Sequence, residues 1–478
     1  MTIERRAAAG LKWSSIAKLV GQAATWAITL VVFRLLRPED YGLMALAMVL
    51  ISVFSGVAEL GLGSSIVQAA TLSGRELKRL AGAIGVLNVV AAAVIAVGAP
   101  LLAELLGDSR LTVILRVLSI QFLLTAVDAV PSSIAYRRME FKQLAGIELA
   151  ATLFGAVTTL ILAWSGAGVW ALVFGSLGAS GLRTVLFVSF GELVRPSLDL
   201  RGIGPHIRFG GTVTVTRFLW QLTSQADILV AGRLFTRDVV GLYSVSMHVA
   251  TLPMAKVMGI INQVALPTVS RMQEETSRLR LRLLHSLRLL ALGAIAAMWG
   301  LCSVAPEFVD VVLGDQWRAA ILPLQLASLV MPLRMLQMVL ATALTGVGRA
   351  DVELRNTIVG ALVLPAAFLI GARFGLNGLA ISWLIAIPII FAANFPRTLP
   401  PLGFGFADLA AAVRAPVLAG GAMYLAVSGT RWIMADAGEA ARLSILILVG
   451  ALAYLLAVQL TDRSIWADVR KLATALRA

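Results

Sequence analysis

GLKWSSIAKLVGQAATWAITLVVFRLLRPEDYGL (residues 10–43) and FGGTVTVTRFLWQLTSQADILVAGRLFTRDVVGL (residues 209–242) align without a gap at a shift of 199 positions. Lys18 falls on Arg217, Gln22 on Gln221, Thr25 on Ser224, Arg34 on Arg233, Glu39 on Asp238 and Gly42 on Gly241. Further on, a shift of 207 puts Leu106-Gly107-Asp108 on Leu313-Gly314-Asp315, and the same shift puts Gly168 on Gly375 and Leu172 on Leu379. Two motifs sharing one shift argue against coincidence. Each matched stretch opens a set of six apolar runs. Six is even, so both sets start on the same side of a membrane, and the repeat is parallel, about an axis along the membrane normal.

The composition supports a membrane reading. Of 478 residues, 59% are hydrophobic and only 14% charged, against about 25% charged in soluble domains. A spanning helix needs about 20 mostly apolar residues. Apolar runs predict fourteen helices, at 11–33, 42–66, 80–105, 111–135, 144–164, 168–190, 207–231, 239–266, 286–305, 319–344, 352–372, 375–395, 410–427 and 443–460. The expected fold is therefore an all-α membrane protein. Residues 1–200 form an N-terminal lobe of helices one to six, 201–400 a C-terminal lobe of helices seven to twelve, and 401–478 two accessory helices outside the repeat. The two parallel six-helix repeats are expected to surround a central cleft.

Charge placement sets the topology. With the N-terminus cytoplasmic, the inner segments hold 25 Lys and Arg and the outer segments 9, as the positive-inside rule requires. Both termini are then cytoplasmic. The net charge of +14 reports this topology rather than a nucleic-acid partner. SRLRLRLLHSLRLL, from Ser277, reads either as a basic helix on anionic lipid or as an extension of the ninth span. Cys302 is the only cysteine, and His206, His248 and His285 have no metal-ligand spacing. No metal or cofactor is expected. The outer loops are too short for a catalytic domain. No Ser/His/Asp set, paired carboxylates or Walker loop is apparent, so the chain reads as a transporter, not an enzyme. Its energy would come from an ion gradient, the membrane potential or downstream polymerisation.

Ionisable residues inside a span are costly and usually face a cavity or a partner. Lys18, Gln22 and Thr25 lie at i, i+4 and i+7, one polar face of helix one, and Arg217, Gln221 and Ser224 repeat it on helix seven. With Arg116, Arg334 and Lys256 they form the candidate substrate cavity, biased towards positive potential. Ion pairing or packing is the competing reading for Lys18 and Arg217, and snorkelling for Lys256 and Arg183. Asp227, Asp128 and Glu59 are candidates to carry a coupling proton or sodium ion. Glu148 lies at a similar depth to Asp128, and Glu59 shares a small-residue stripe with Ser52, Ser55, Gly56 and Gly63. Arg34, Gly42, Arg233 and Gly241 read as structural, setting the turn between paired helices.

Several stretches also resemble a known family. FRLLRPEDYGLMALA (residues 33–47) is similar to the first-loop signature of Wzx-type polysaccharide transport flippases. DILVAGRLFTRDVVGLYSVS (227–246) resembles its second-half counterpart, and LTGVGRADVELRN (344–356) the loop between helices ten and eleven. GAGVWALVFG (166–175) and FGLNGLAISW (374–383) resemble the starts of helices six and twelve. The likeness covers residues 10–400, in order and in both halves, and is nearest the fourteen-helix exopolysaccharide branch. It implies the multidrug/oligosaccharidyl-lipid/polysaccharide exporter fold, a bacterial inner-membrane location and translocation of an undecaprenyl-pyrophosphate-linked oligosaccharide. It also implies work alongside polymerase and export machinery. A lipid II flippase or a drug exporter would share the fold. A membrane polymerase or ligase of lipid-linked sugars is the alternative of another class.

Overall fold

The computed structural model describes residues 21–22, 24–58, 61–69, 72–191, 194–199, 218, 221–252, 276–434, 436 and 438–462. Their regular structure is helical throughout. Among the described residues, ten segments are long and apolar enough to cross a membrane, and one of them, Asp351–Thr398, contains two helices. The chain is an all-α multi-pass membrane protein. It divides into two compact units, Met1–Gly241 and Leu242–Ala478.

In the first unit, α1 (Ala24–Leu35) leads through Arg37 into α2 (Pro38–Ala58). The second predicted helix does not run unbroken to 66. Gly61 adopts φ 58°, and a short α3 (Leu62–Gln68) follows. Arg137 Nη1 caps α3 by donating to the carbonyls of Ile66 and Ala69 at 2.8 and 2.6 Å. α4 (Gly74–Leu106) opens on a capping box in which the Ser73 hydroxyl accepts from the Glu76 N–H, and the Glu76 carboxylate accepts from the Ser73 N–H. α5 (Arg110–Leu118) and α6 (Ile120–Arg137) divide the fourth predicted span at Ser119. α7 (Phe141–Trp164) and α8 (Val169–Phe190) form a hairpin. The seventh predicted helix appears as α9 (Ala226–Leu234), and the eighth begins as α10 (237–252).

The repeat-equivalent glycines Gly42 and Gly241 meet. A methyl on Gly42 would lie 1.9 Å from the Arg237 carbonyl oxygen, and one on Gly241 1.7 Å from the Pro38 carbonyl oxygen. Pro38 and Arg237 are themselves equivalent under the shift of 199, so the contact is reciprocal. Only a residue without Cβ permits this approach.

Arg237 locks the crossing. Its buried guanidinium donates to the carbonyls of Gly232 and Leu106, ending α9 and α4, and pairs with Asp108 at 3.2 Å. Asp108 also takes Arg110, which reaches on to Glu39. Hydrogen bonding from Arg110 holds the Asp108 carboxyl below its ordinary pKa. A depressed folded-state pKa adds stability that is present above the unfolded value, about 4, and is lost as pH falls through the folded value. Protection of the amides at 106–110, taken as the ratio of intrinsic to observed exchange rate at each pH, should therefore be high and level from pH 7 to 5 and fall towards pH 3. Asp108→Asn should show the lower protection at all pH values; an unchanged profile would dismiss the lock.

In the second unit, α11 (Thr276–Phe308) is continuous from 276, ten residues before the predicted start. The basic stretch from Ser277 is thus an extension of the ninth span. Leu279, Leu283, Leu287 and Leu290 form its buried stripe. α12 (Ile321–Gly346) follows, then α13 (Ala350–Gly371) and α14 (Gly375–Thr398), a hairpin closed by mutual approach of Gly371 and Gly378. α15 (Phe406–Ile433) and α16 (Glu439–Thr461) pack on each other and on α11. A core of Leu, Met and aromatic side chains joins α11, α12, α15 and α16.

One device occurs in both units. Pro100 cannot donate to the Ala96 carbonyl one turn back. Arg116 Nε, on the next helix, donates to it at 3.2 Å. Pro306 likewise leaves the Cys302 carbonyl without its helical donor, and Gln325 Nε2 donates there at 3.3 Å. Counting to the Leu-Gly-Asp motif, the second case has one residue more, which the π-turn Val309–Leu313 absorbs.

Candidate functional site

A polar cavity of about 440 Å³ opens within the first unit, lined from α3, α4, α6, α7 and α8. Apolar residues build its frame: Leu62, Ile66, Ile84, Val130 and Ile134 pack α3, α4 and α6 together. Asp128 projects from α6 into this frame and is buried. Its Oδ2 accepts from Arg183 Nε at 3.0 Å and from the Thr184 hydroxyl at 3.1 Å, both on α8. Its Oδ1 accepts no hydrogen bond from a described residue. Glu148 on α7 lines the same cavity and is exposed to it. Asn88 on α4 is buried, with its amide tied to the Ile84 carbonyl at 2.9 Å.

The site lies at membrane depth. Asp128, Glu148 and Arg183 sit seven to nine residues from the helix ends at Arg137, Phe141 and Phe190, about 10 to 14 Å along the axes. The charges do not cancel: two carboxylates face one guanidinium. In a low-dielectric wall an unmatched charge is costly. Hydroxyls of Ser64, Ser132, Ser133 and Thr125 complete a lining polar enough for water.

The other predicted site residues have separate surroundings. Gln221 Nε2 donates to Ser52 Oγ at 3.0 Å, joining helix seven to the small-residue stripe of α2. Gln22, midway along the first predicted span, is half-buried. Arg116 serves the carbonyl left by Pro100. Asp227 is buried in the first turn of α9, where its carboxylate accepts from the Ile228 N–H at 2.8 Å. An acid there also complements the helix dipole. In the second unit, Arg334 stacks 4.6 Å over the Trp383 ring, and Trp383 Nε1 donates to the Tyr243 hydroxyl at 2.8 Å. Lys18, Glu59, Arg217 and Lys256 lie outside the described residues.

Two polar centres have no forerunner among the predicted sites. One is Arg237, counted in the sequence only as a loop charge. The other is Glu307, buried in α11 between Arg431 of α15 and Arg442 of α16.

Comparison with known proteins fixes the family. A profile for "Polysaccharide biosynthesis protein" matches residues 31–322. The chain belongs to that family. It is 28% identical over 393 residues to the lipopolysaccharide biosynthesis protein WzxC of Escherichia coli, covering 80% of this chain and 79% of that protein. Identity is 25% to the teichuronic acid biosynthesis protein TuaB of Bacillus subtilis, over 71% of this chain and 70% of that one. It is 24% to the succinoglycan biosynthesis transport protein ExoT of Rhizobium meliloti, over 80% and 78%. In fold, the chain matches an inward closed lipid II flippase MurJ with a TM-score of 0.74 at 13% identity, over 94% of this chain and 99% of that one. An inward-facing multidrug MATE transporter matches with 0.61 at 15% identity, over 79% and 94%. The family is one of transporters rather than enzymes, and its members belong to bacterial polysaccharide biosynthesis.

Proposed function

We propose that the chain moves an undecaprenyl-pyrophosphate-linked oligosaccharide repeat unit from the cytoplasmic to the outer leaflet by alternating access, for exopolysaccharide or lipopolysaccharide assembly. The observation that carries this reading is the family match across residues 31–322 together with relatives named for three different surface polysaccharides. Fourteen helices, arranged as two parallel six-helix lobes (1–200 and 201–400) around a central cleft with an accessory pair (401–478), fit this task. The recurrence of the proline-carbonyl device and the reciprocal glycine crossing support the repeat. Lys18, Arg217 and Arg334, with Gln22 and Gln221 beside them, hold the anionic pyrophosphate, and the polar sugars stay in the wet cleft. Arg116 and Lys256 lend charge nearer the rims. Both termini are cytoplasmic, in the bacterial inner membrane.

Asp128 is the seat of the coupling ion, a proton or sodium, because its open Oδ1 and the Glu148 carboxylate leave the cavity one charge short. Asp227 and Glu59 are secondary candidates. The lipid II reading draws on the MurJ fold match. One experiment separates the two. Deleting the gene should abolish surface polysaccharide and accumulate its lipid-linked repeat unit in the inner leaflet, with peptidoglycan synthesis unaffected. Normal polysaccharide with stalled peptidoglycan would replace the proposal by the lipid II reading.

A further inference from the structure

Glu307 has more cations than it needs. Arg431 pairs with it bidentately, with Nε on Oε1 at 2.7 Å and Nη2 on Oε2 at 2.9 Å. Arg442 comes to the same Oε1 from α16. Its Nε stands 3.5 Å away and is buried without a hydrogen-bond partner. No other carboxylate pairs with Arg442 among the described residues. The cluster therefore carries one surplus positive charge. Arg442 also sits in the first turn of α16, where the helix dipole disfavours a cation; Glu439, three residues earlier, offsets part of that.

The surroundings say what kind of anion. Arg431 and Arg442 stand at the ends of two candidate spans, Phe406–Ile433 and Glu439–Thr461, the depth of lipid headgroups. Beside them Trp432 and Ile433 are 86% and 80% exposed, an interfacial anchor. Along the same two helices Leu425, Leu448, Leu452 and Leu456 present an exposed apolar face. A charged head site above an apolar wall has the shape of a lipid.

We infer that Arg442, held by Glu307 and Arg431, binds the phosphate of an anionic lipid at the α15–α16 turn. The site is separate from the Asp128 cavity, and it stands whether or not the transported sugar is the one proposed.

The test uses the purified full chain in detergent, titrated with undecaprenyl phosphate, phosphatidylglycerol and phosphatidylcholine and read by native mass spectrometry. The two anionic lipids should bind, and Arg442→Gln should weaken them about tenfold, the equivalent of one lost charge-assisted contact of about 1.4 kcal/mol. Phosphatidylcholine, whose choline cancels the phosphate charge, should be unaffected. Equal loss for both anionic lipids identifies a resident phospholipid; a loss confined to undecaprenyl phosphate identifies the carrier lipid. Arg442→Gln binding all three as the native chain does would overturn the inference. Should that variant not fold, Arg442→Lys carries the test: it keeps the charge but loses the planar fork, so anionic-lipid affinity falls partway, and unchanged affinity would again overturn it.

Discussion

Asp128→Asn should reduce polysaccharide export on the order of ten- to a hundredfold, the range of coupling free energies between linked sites, while the protein accumulates in the membrane at its usual level. The amide is nearly isosteric and keeps the Thr184 hydroxyl as a donor to its oxygen. Arg183 is about a third exposed, at 35%, and shares the cavity with Glu148, so losing the Asp128 charge leaves it a second carboxylate. Folding therefore survives. What changes is the charge of the cavity, from one unit negative to neutral, and with it the reason to take up a cation. Glu148→Gln should produce the same neutral cavity and a similar defect. Export would be followed as surface polysaccharide, alongside membrane-protein abundance. Undiminished export by the double variant would remove the cavity from the transport cycle; lost abundance in either single variant would make the Asp128–Arg183 pair a structural one.

Alanine at either crossing glycine is the second large effect. The added Cβ would stand 1.9 Å from a backbone oxygen at Gly42 and 1.7 Å at Gly241. Relief requires the two helices to part by about 1 Å or more, and overpacking of this kind costs about 1 to 3 kcal/mol, sometimes more. Each single variant should lower the thermal midpoint by several degrees. Because one parting of the helices relieves both clashes, Gly42→Ala with Gly241→Ala should cost clearly less than the sum of the two. Strict additivity in that cycle would mean that the two glycines do not meet.

Much of the fold was legible because a membrane-spanning helix announces itself in a single number, the length of an apolar run. The breaks were harder. The ninth span was expected to stop at 305, one residue before Pro306, yet α11 continues to Phe308, and Gln325 on the next helix serves the carbonyl that the proline abandons. That donor is nineteen positions away in sequence, beyond any local pattern. A longer separation hid Glu307, just past the expected end, whose partner Arg431 is 124 residues on. The site was half legible. Asp128 stood out as a buried acid, but its partner Arg183 is 55 residues on and read as a cation snorkelling to the interface. Periodicity tells which residues share a helix face; it does not tell which helix that face meets. Arg237 was invisible for a different reason: a charge in a short loop is expected, and only the structure reveals it buried against two helix ends.

The pairing of Pro100 with Arg116 binds the histories of two positions. If the proline alone were replaced, Ala96 would recover its backbone donor and a guanidinium within a span would be left without its acceptor. If the arginine alone were replaced by an apolar residue, the carbonyl would be orphaned instead. Either first step passes through a less fit intermediate, so the two are exchanged together or not at all. Descendants of this chain should then carry both residues or neither, and Pro306 with Gln325 forms a second such couple, free to evolve on its own schedule.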